Sequence, residues 1–292
     1  MDRLFRGTGV ALVTPFKENS EVDYNALDKI IKNQIEGGTD YLVALGTTAE
    51  TPTLTGNEKA EIVDFIQERS SGLPVVVGMG GNDTRKIIKQ IDKFNFEGVS
   101  GILSVTPYYN KPSQEGMFRH YSAIAQASPV PVILYNVPSR TGINLEAKTV
   151  VKLAEQYENI VAVKEASGNF LQMTKIIKYA PDNFSVISGD DLLCLPIISV
   201  GGQGVISVIA NALPYKLSNL VHFANNGQYD SAQKINLELI ELFKLLFKEG
   251  NPAGIKALLN IMGFSQNILR SPLNPVSKNL YKAIGDEYVK LK

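Results

Sequence analysis

The chain has 292 residues, 44% of them hydrophobic and 20% charged, and its 29 basic groups equal its 29 acidic ones. That length allows one large core, since α/β barrels run to roughly 250 residues as a single domain. A net charge of zero lacks the concentrated basic face that nucleic acid or an anionic membrane calls for, so neither is expected as a partner.

In chain order, short apolar runs rich in Val, Ile and Leu recur at 9–13, 41–45, 74–77, 101–105, 130–135, 160–164, 184–188 and 204–208. Little polar alternation within them marks strands buried on both faces, as in a parallel sheet. Amphipathic helical stretches lie between. The first, 23–36, puts Leu27, Ile30, Ile31 and Ile35 on one stripe, and Gly37-Gly38 offers a left-handed end. Thr55 to Glu58 has the capping-box spacing, and Asn144 and Asn169 are expected caps for the helices after them. The strand starts are spaced like βα units. Eight in succession predict a (β/α)8 TIM barrel over residues 1–224. After Ala210 only helical signals remain, and residues 225–292 are expected as a C-terminal helical region on the barrel. The apolar stretch 232–248 within it reads as a small cap or an oligomer contact.

A single cysteine, Cys194, excludes an internal disulfide and fits a reducing compartment. Residues 1–7 carry no signal-peptide core, and no run reaches the ~20 apolar residues of a membrane helix, so a cytoplasmic protein is expected. His120 and His222 lie far apart without ligand spacing, so no metal is expected.

In such barrels the site forms where the strands end. Lys164 closes the run Ile160-Val161-Ala162-Val163, so its amine should enter the barrel mouth, where desolvation favours the neutral, nucleophilic form. A Schiff base there would serve as an electron sink for making or breaking a carbon–carbon bond. A lysine at a strand end could equally snorkel outward or pair with Glu165. Tyr135 closes the preceding strand, placing a phenol beside that amine for proton transfer, and Thr47 and Tyr109 could extend a relay. As alternatives, Thr47 is a helix cap and Tyr109 a loop aromatic. Gly46-Thr47-Thr48-Ala49-Glu50 exposes N–H and hydroxyl donors suited to a small carboxylate. Arg140 could grip a second carboxylate or lie solvated at the surface. Gly78-Met79-Gly80-Gly81 falls short of a dinucleotide fingerprint, and Gly201-Gly202-Gln203-Gly204 precedes the last strand rather than following it. No cofactor is expected.

Gly46-Thr47-Thr48-Ala49-Glu50, Val105 to Pro112, Tyr135 to Gly142 and Val163-Lys164-Glu165 together resemble the dihydrodipicolinate synthase / N-acetylneuraminate lyase family, in order and spacing from Gly7 to about Gly263. The resemblance implies a (β/α)8 barrel, a homotetramer built as a dimer of dimers, and a pyruvate Schiff base. It makes Lys164 the Schiff-base lysine, Tyr135 the proton-transferring tyrosine, and Thr47 with Tyr109 the rest of the relay. Tyr109 would act in the neighbouring subunit's site. Thr48 would hold the pyruvate carboxylate, and the backbones of Gly189 and Ile206 would line its pocket. Arg140 matches the branch that binds the carboxylate of L-aspartate 4-semialdehyde, which implies condensation of that aldehyde with pyruvate on the lysine and diaminopimelate route. Another pyruvate aldolase, acting on a sugar acid, is the enzyme alternative, and a non-catalytic binding barrel the remaining one. Two departures stand out: Ala49 replaces the motif's second glycine, and Gly56, Lys59 and Lys86 replace the groups of a lysine feedback site that keeps Asn82 and Tyr108.

Overall fold

The computed structural model describes residues 5–291, and in it the short apolar runs become parallel strands. They are β1 (Gly7–Ala11), β2 (Tyr41–Ala44), β3 (Val75–Gly78), β4 (Val99–Val105), β5 (Val132–Asn136), β6 (Ile160–Glu165), β7 (Ser185–Ser188) and β8 (Gly204–Ser207). Each strand pairs with the next, and β8 returns to β1 with Gly7 opposite Gly204 and Val10 opposite Ser207. The sheet is therefore closed, which periodicity alone could not establish. Closure depends on Gly204: its φ is +150°, and a Cβ there would stand 1.9 Å from the Gly7 carbonyl oxygen. The neighbouring Gln203 carbonyl accepts the Gly7 N–H at 2.9 Å. The Gly201–Gly204 run thus belongs to the barrel seam at the N-terminal end of the strands, opposite the end where such barrels bind ligands.

Helices fill the crossovers: α1 (Tyr24–Glu36), α2 (Gly56–Arg69), α3 (Thr84–Lys93), α4 (Gln114–Ala127), the short α5 (Pro138–Thr141), α6 (Ala147–Gln156), α7 (Phe170–Tyr179) and the short α8 (Cys194–Ser199). Asp23 caps α1, and both halves of the Thr55–Glu58 capping box are formed at α2. The left-handed residue after α1 is Gly38, with Gly37 still right-handed. Asn169 caps α7 by accepting from the Gln172 N–H. Asn144 does not cap α6. The flanking residue is Glu146 without a side-chain bond, and the Asn144 amide is drawn instead into hydrogen bonds with Asn136 and Gln172.

After β8 come α9 (Pro214–Asn225), α10 (Tyr229–Phe247), α11 (Ala253–Ile261) and α12 (Lys278–Val289). Leu239, Leu242, Phe243 and Leu246 of α10 and Leu258 and Leu259 of α11 share one buried cluster with Val10, Leu42 and Ile30. These side chains are buried within the same chain, each contributing roughly 1.5–3 kcal/mol, while Leu237 and Phe247 of α10 stay exposed. A separate cluster fills the barrel itself, with Phe5 and Tyr41 near the bottom at 5.6 Å between ring centroids and Tyr135 near the top. Residues 1–4, at the start of the region read as lacking a signal-peptide core, lie outside the described residues. Among the described residues no helix is long and apolar enough to cross a membrane.

Candidate active site

The side-chain alternation of a strand sends Lys164 inward and Glu165 outward at the end of β6. Glu165 is fully buried, and its carboxylate accepts from the Asn136 side-chain amide at 3.0 and 3.1 Å, the Gln172 amide at 2.9 Å and the Ser167 N–H at 2.8 Å. Those bonds occupy Glu165, so it is not the partner of Lys164. The Lys164 side chain is 5% exposed. Its register partner on β5 is Tyr135, and Nζ lies 4.6 Å from the centroid of the Tyr135 ring. Burial pulls the amine below the ordinary lysine range, and Tyr135 and Asp191 pull it back while Arg140 pushes it further down. Gly189, after β7, packs on this side chain, since a Cβ there would come within 3.1 Å of Lys164 Cε.

Two neighbouring chambers occupy the mouth, of about 440 and 650 Å³, and both are lined by Thr47, Tyr135, Val137 and Arg140. Lys164, Thr48, Gly189 and Asn251 line the second. Thr47–Ala49 forms a single 3-10 turn opened by Gly46, and the left-handed positions flank it at Leu45 and Glu50, each with φ of 54°. Position 49 itself is not left-handed, so alanine replaces glycine there without backbone strain. Asn251 reaches this turn from the segment before α11: its side-chain amide donates to Thr48 Oγ1 at 3.0 Å, and its backbone carbonyl accepts from Arg140 at 3.2 Å. Arg140 therefore lines the mouth, although the residue as a whole is exposed.

Asp191 opens a further 3-10 turn after β7, is buried, and accepts the N–H groups of Val208 and Ile209 at 3.1 and 3.0 Å. Burial raises its carboxyl to about 6. A buried amine without a contacting carboxylate, a phenol beside it, a donor-rich turn and a guanidinium can together form an imine with a small keto acid and hold two carboxylates.

Of the residues expected from the sequence, Lys164, Tyr135, Thr47, Thr48, Arg140 and Gly189 meet in the mouth. Ile206 lies within the barrel interior, fully buried, and lines neither chamber. Tyr109 is 84% exposed with φ of 72° and also lines neither chamber of its own chain. Sequence reasoning missed Asn251 and the rim formed by Lys244 of α10 and Lys248 just after it, because the tail was read as a small cap or an oligomer contact. One signal was present: Lys256 is the only charged residue in the apolar stretch that became α11.

Residues 4–289 match the model of the dihydrodipicolinate synthetase family. A 4-hydroxy-tetrahydrodipicolinate synthase of Parabacteroides distasonis is 54% identical, over 96% of this chain and 95% of that protein. Dihydrodipicolinate synthase from Aquifex aeolicus superposes with a TM-score of 0.94 at 40% identity, covering 98% of each chain. A monomeric dihydrodipicolinate synthase variant superposes with a TM-score of 0.95 at 38% identity, covering 98% of this chain and 96% of that one. Fold and sequence agree, and the chain belongs to the dihydrodipicolinate synthetase family.

Proposed function

We propose that this chain condenses pyruvate with L-aspartate 4-semialdehyde to give 4-hydroxy-tetrahydrodipicolinate, on the route to diaminopimelate and lysine. The observation that carries the reading is the Lys164 amine: buried, lowered in basicity, beside Tyr135, and in one chamber with Arg140. The neutral amine adds to C2 of pyruvate, and loss of water leaves an imine. Loss of a proton from C3 gives an enamine, whose C3 attacks the aldehyde carbon while the aldehyde oxygen takes up a proton. The amino group of the condensed substrate then attacks C2, closes the ring and releases Lys164.

Tyr135 carries protons to and from the carbinolamine, with Thr47 and Tyr109 completing the relay. Thr48 and the N–H groups of its turn hold the pyruvate carboxylate, the backbones of Gly189 and Ile206 line that pocket, and Arg140 holds the carboxylate of the aldehyde. The exposure of Tyr109 and its distance from its own chambers support delivery to the site of a second copy, in a tetramer made of two dimers. A fully active monomer, seen by sedimentation at assay concentration, would refute that part.

The test is pyruvate consumption with L-aspartate 4-semialdehyde, coupled to a reductase acting on the product. Lys164→Ala should abolish turnover, and Arg140→Ala should cut kcat/KM for the aldehyde by on the order of 100-fold. Borohydride with pyruvate should add the reduced adduct to Lys164. Trapping without turnover would move the aldehyde partner to a sugar-type substrate, and no trapping at all would leave a binding barrel.

A further inference from the structure

The turn bearing Thr47 and Thr48 is tied to the C-terminal region at two points, its middle residue and the residue that ends it. At Thr48 the tie is the Asn251 amide. Two residues later, Glu50 turns its fully buried carboxylate to the Lys256 amine of α11, which is equally buried and also donates to the Ile268 carbonyl at 2.9 Å. The second Glu50 oxygen accepts the Arg270 N–H at 2.9 Å. Glu50 occupies the left-handed region, where a side chain other than glycine is strained and persists only if its surroundings hold it. A buried ion pair is a poor choice for stability alone, because desolvation consumes much of the attraction and apolar side chains of similar size often do as well. What it supplies is a fixed position for Glu50, and therefore for the turn that ends there.

We infer that Glu50 and Lys256 are positioning residues for substrate binding, acting through the Thr47–Ala49 turn to set the donors that receive the pyruvate carboxylate. The inference rests on the reading of Thr48 as a pyruvate contact. The tail then belongs to the site although neither Glu50 nor Lys256 lines a chamber.

The test uses the full-length protein with pyruvate and borohydride, reading the reduced adduct on Lys164 by peptide mass as pyruvate is varied. In Lys256→Met and in Glu50→Gln, half-saturating pyruvate should rise on the order of 10- to 100-fold, since small misplacements of binding groups have effects of that size. At saturating pyruvate, labelling of Lys164 should still reach completion. Each single change leaves one buried charge unpaired and can weaken the fold, so Glu50→Gln/Lys256→Met, which leaves none, is measured alongside with circular dichroism and thermal melting. A folded double variant that binds pyruvate like the wild type overturns the proposal. So does a set of variants that melt earlier with unchanged half-saturation, because the pair would then be structural only. Absence of labelling in the wild type would instead remove the Schiff-base reading, a separable failure.

Discussion

Asp191→Asn isolates the cost of a buried carboxylate next to the nucleophile. The wild-type side chain accepts two backbone N–H groups through one oxygen, while its other oxygen has no partner. Burial therefore raises the carboxyl from 3.8 to about 6. Because the folded value lies above the unfolded one, the stabilising form is the protonated acid. Its contribution is complete below pH 4 and is lost as pH rises through 6. At 1.36 kcal/mol per pH unit the loss amounts to roughly 3 kcal/mol. Asparagine keeps the accepting oxygen and cannot ionise. The stability of the variant relative to wild type should therefore climb by roughly 3 kcal/mol between pH 4 and pH 7, or about 6 °C in melting temperature for a chain of this size. Thermal or urea unfolding at pH 4, 5.5 and 7 reads it directly. A difference between the two proteins that stays flat across that range would refute the argument. A second readout concerns Lys164, whose amine Asp191 helps to keep protonated. The acid limb of kcat/KM should move to lower pH in the variant.

The same sign holds at the other end of the barrel, where His222 Nε2 meets Asp40 Oδ2 at 2.8 Å and that hydrogen bond raises the imidazole. This half-exposed pair stabilises fully below the unfolded histidine value and fades as pH climbs through the raised folded one. His222→Gln should therefore lose at most about 1 kcal/mol near pH 6 and nothing near pH 9, by thermal unfolding. Lysine should inhibit weakly. Lys59 lines the first chamber and Lys86 lies on α3, so a lysine effector's amine meets like charge at a cost of about 1–2 kcal/mol. Half-inhibition at sub-millimolar lysine would contradict this.

The strands were legible because burial on both faces leaves a local signature, and every predicted strand begins and ends within two residues of the observed one. Lys164, Tyr135, Thr47 and Gly189 were legible for a related reason: in a barrel, position at a strand end already fixes direction. Asn144 misled because its neighbours in sequence suggest a cap, while long-range partners, the Asn136 and Gln172 amides, took its side chain. Asn251 and Lys256 stayed hidden because they meet the Thr47–Glu50 turn across about 200 residues of chain, and no periodicity records such a contact.

Among the described residues two lysines are buried and treated in opposite ways, which explains how one of them can be a nucleophile. Lys256 lies against the Glu50 carboxylate, so although burial lowers its amine to about 8, a partner in contact holds the proton and the amine is spoken for by Glu50 and the Ile268 carbonyl. Lys164 is as thoroughly desolvated, but the adjacent carboxylate of Glu165 is turned away and saturated by amides, and Asp191 acts on it only at a distance. Desolvation without a contacting counter-charge leaves a fraction of free amine facing an open chamber, whereas desolvation with one leaves a sealed ammonium. Pyruvate with borohydride, followed by peptide mapping, should therefore modify Lys164 and leave Lys256 unmodified even at high pyruvate. Labelling of both would mean that burial alone selects the nucleophile, and that the orientation of Glu165 away from the mouth has no chemical consequence.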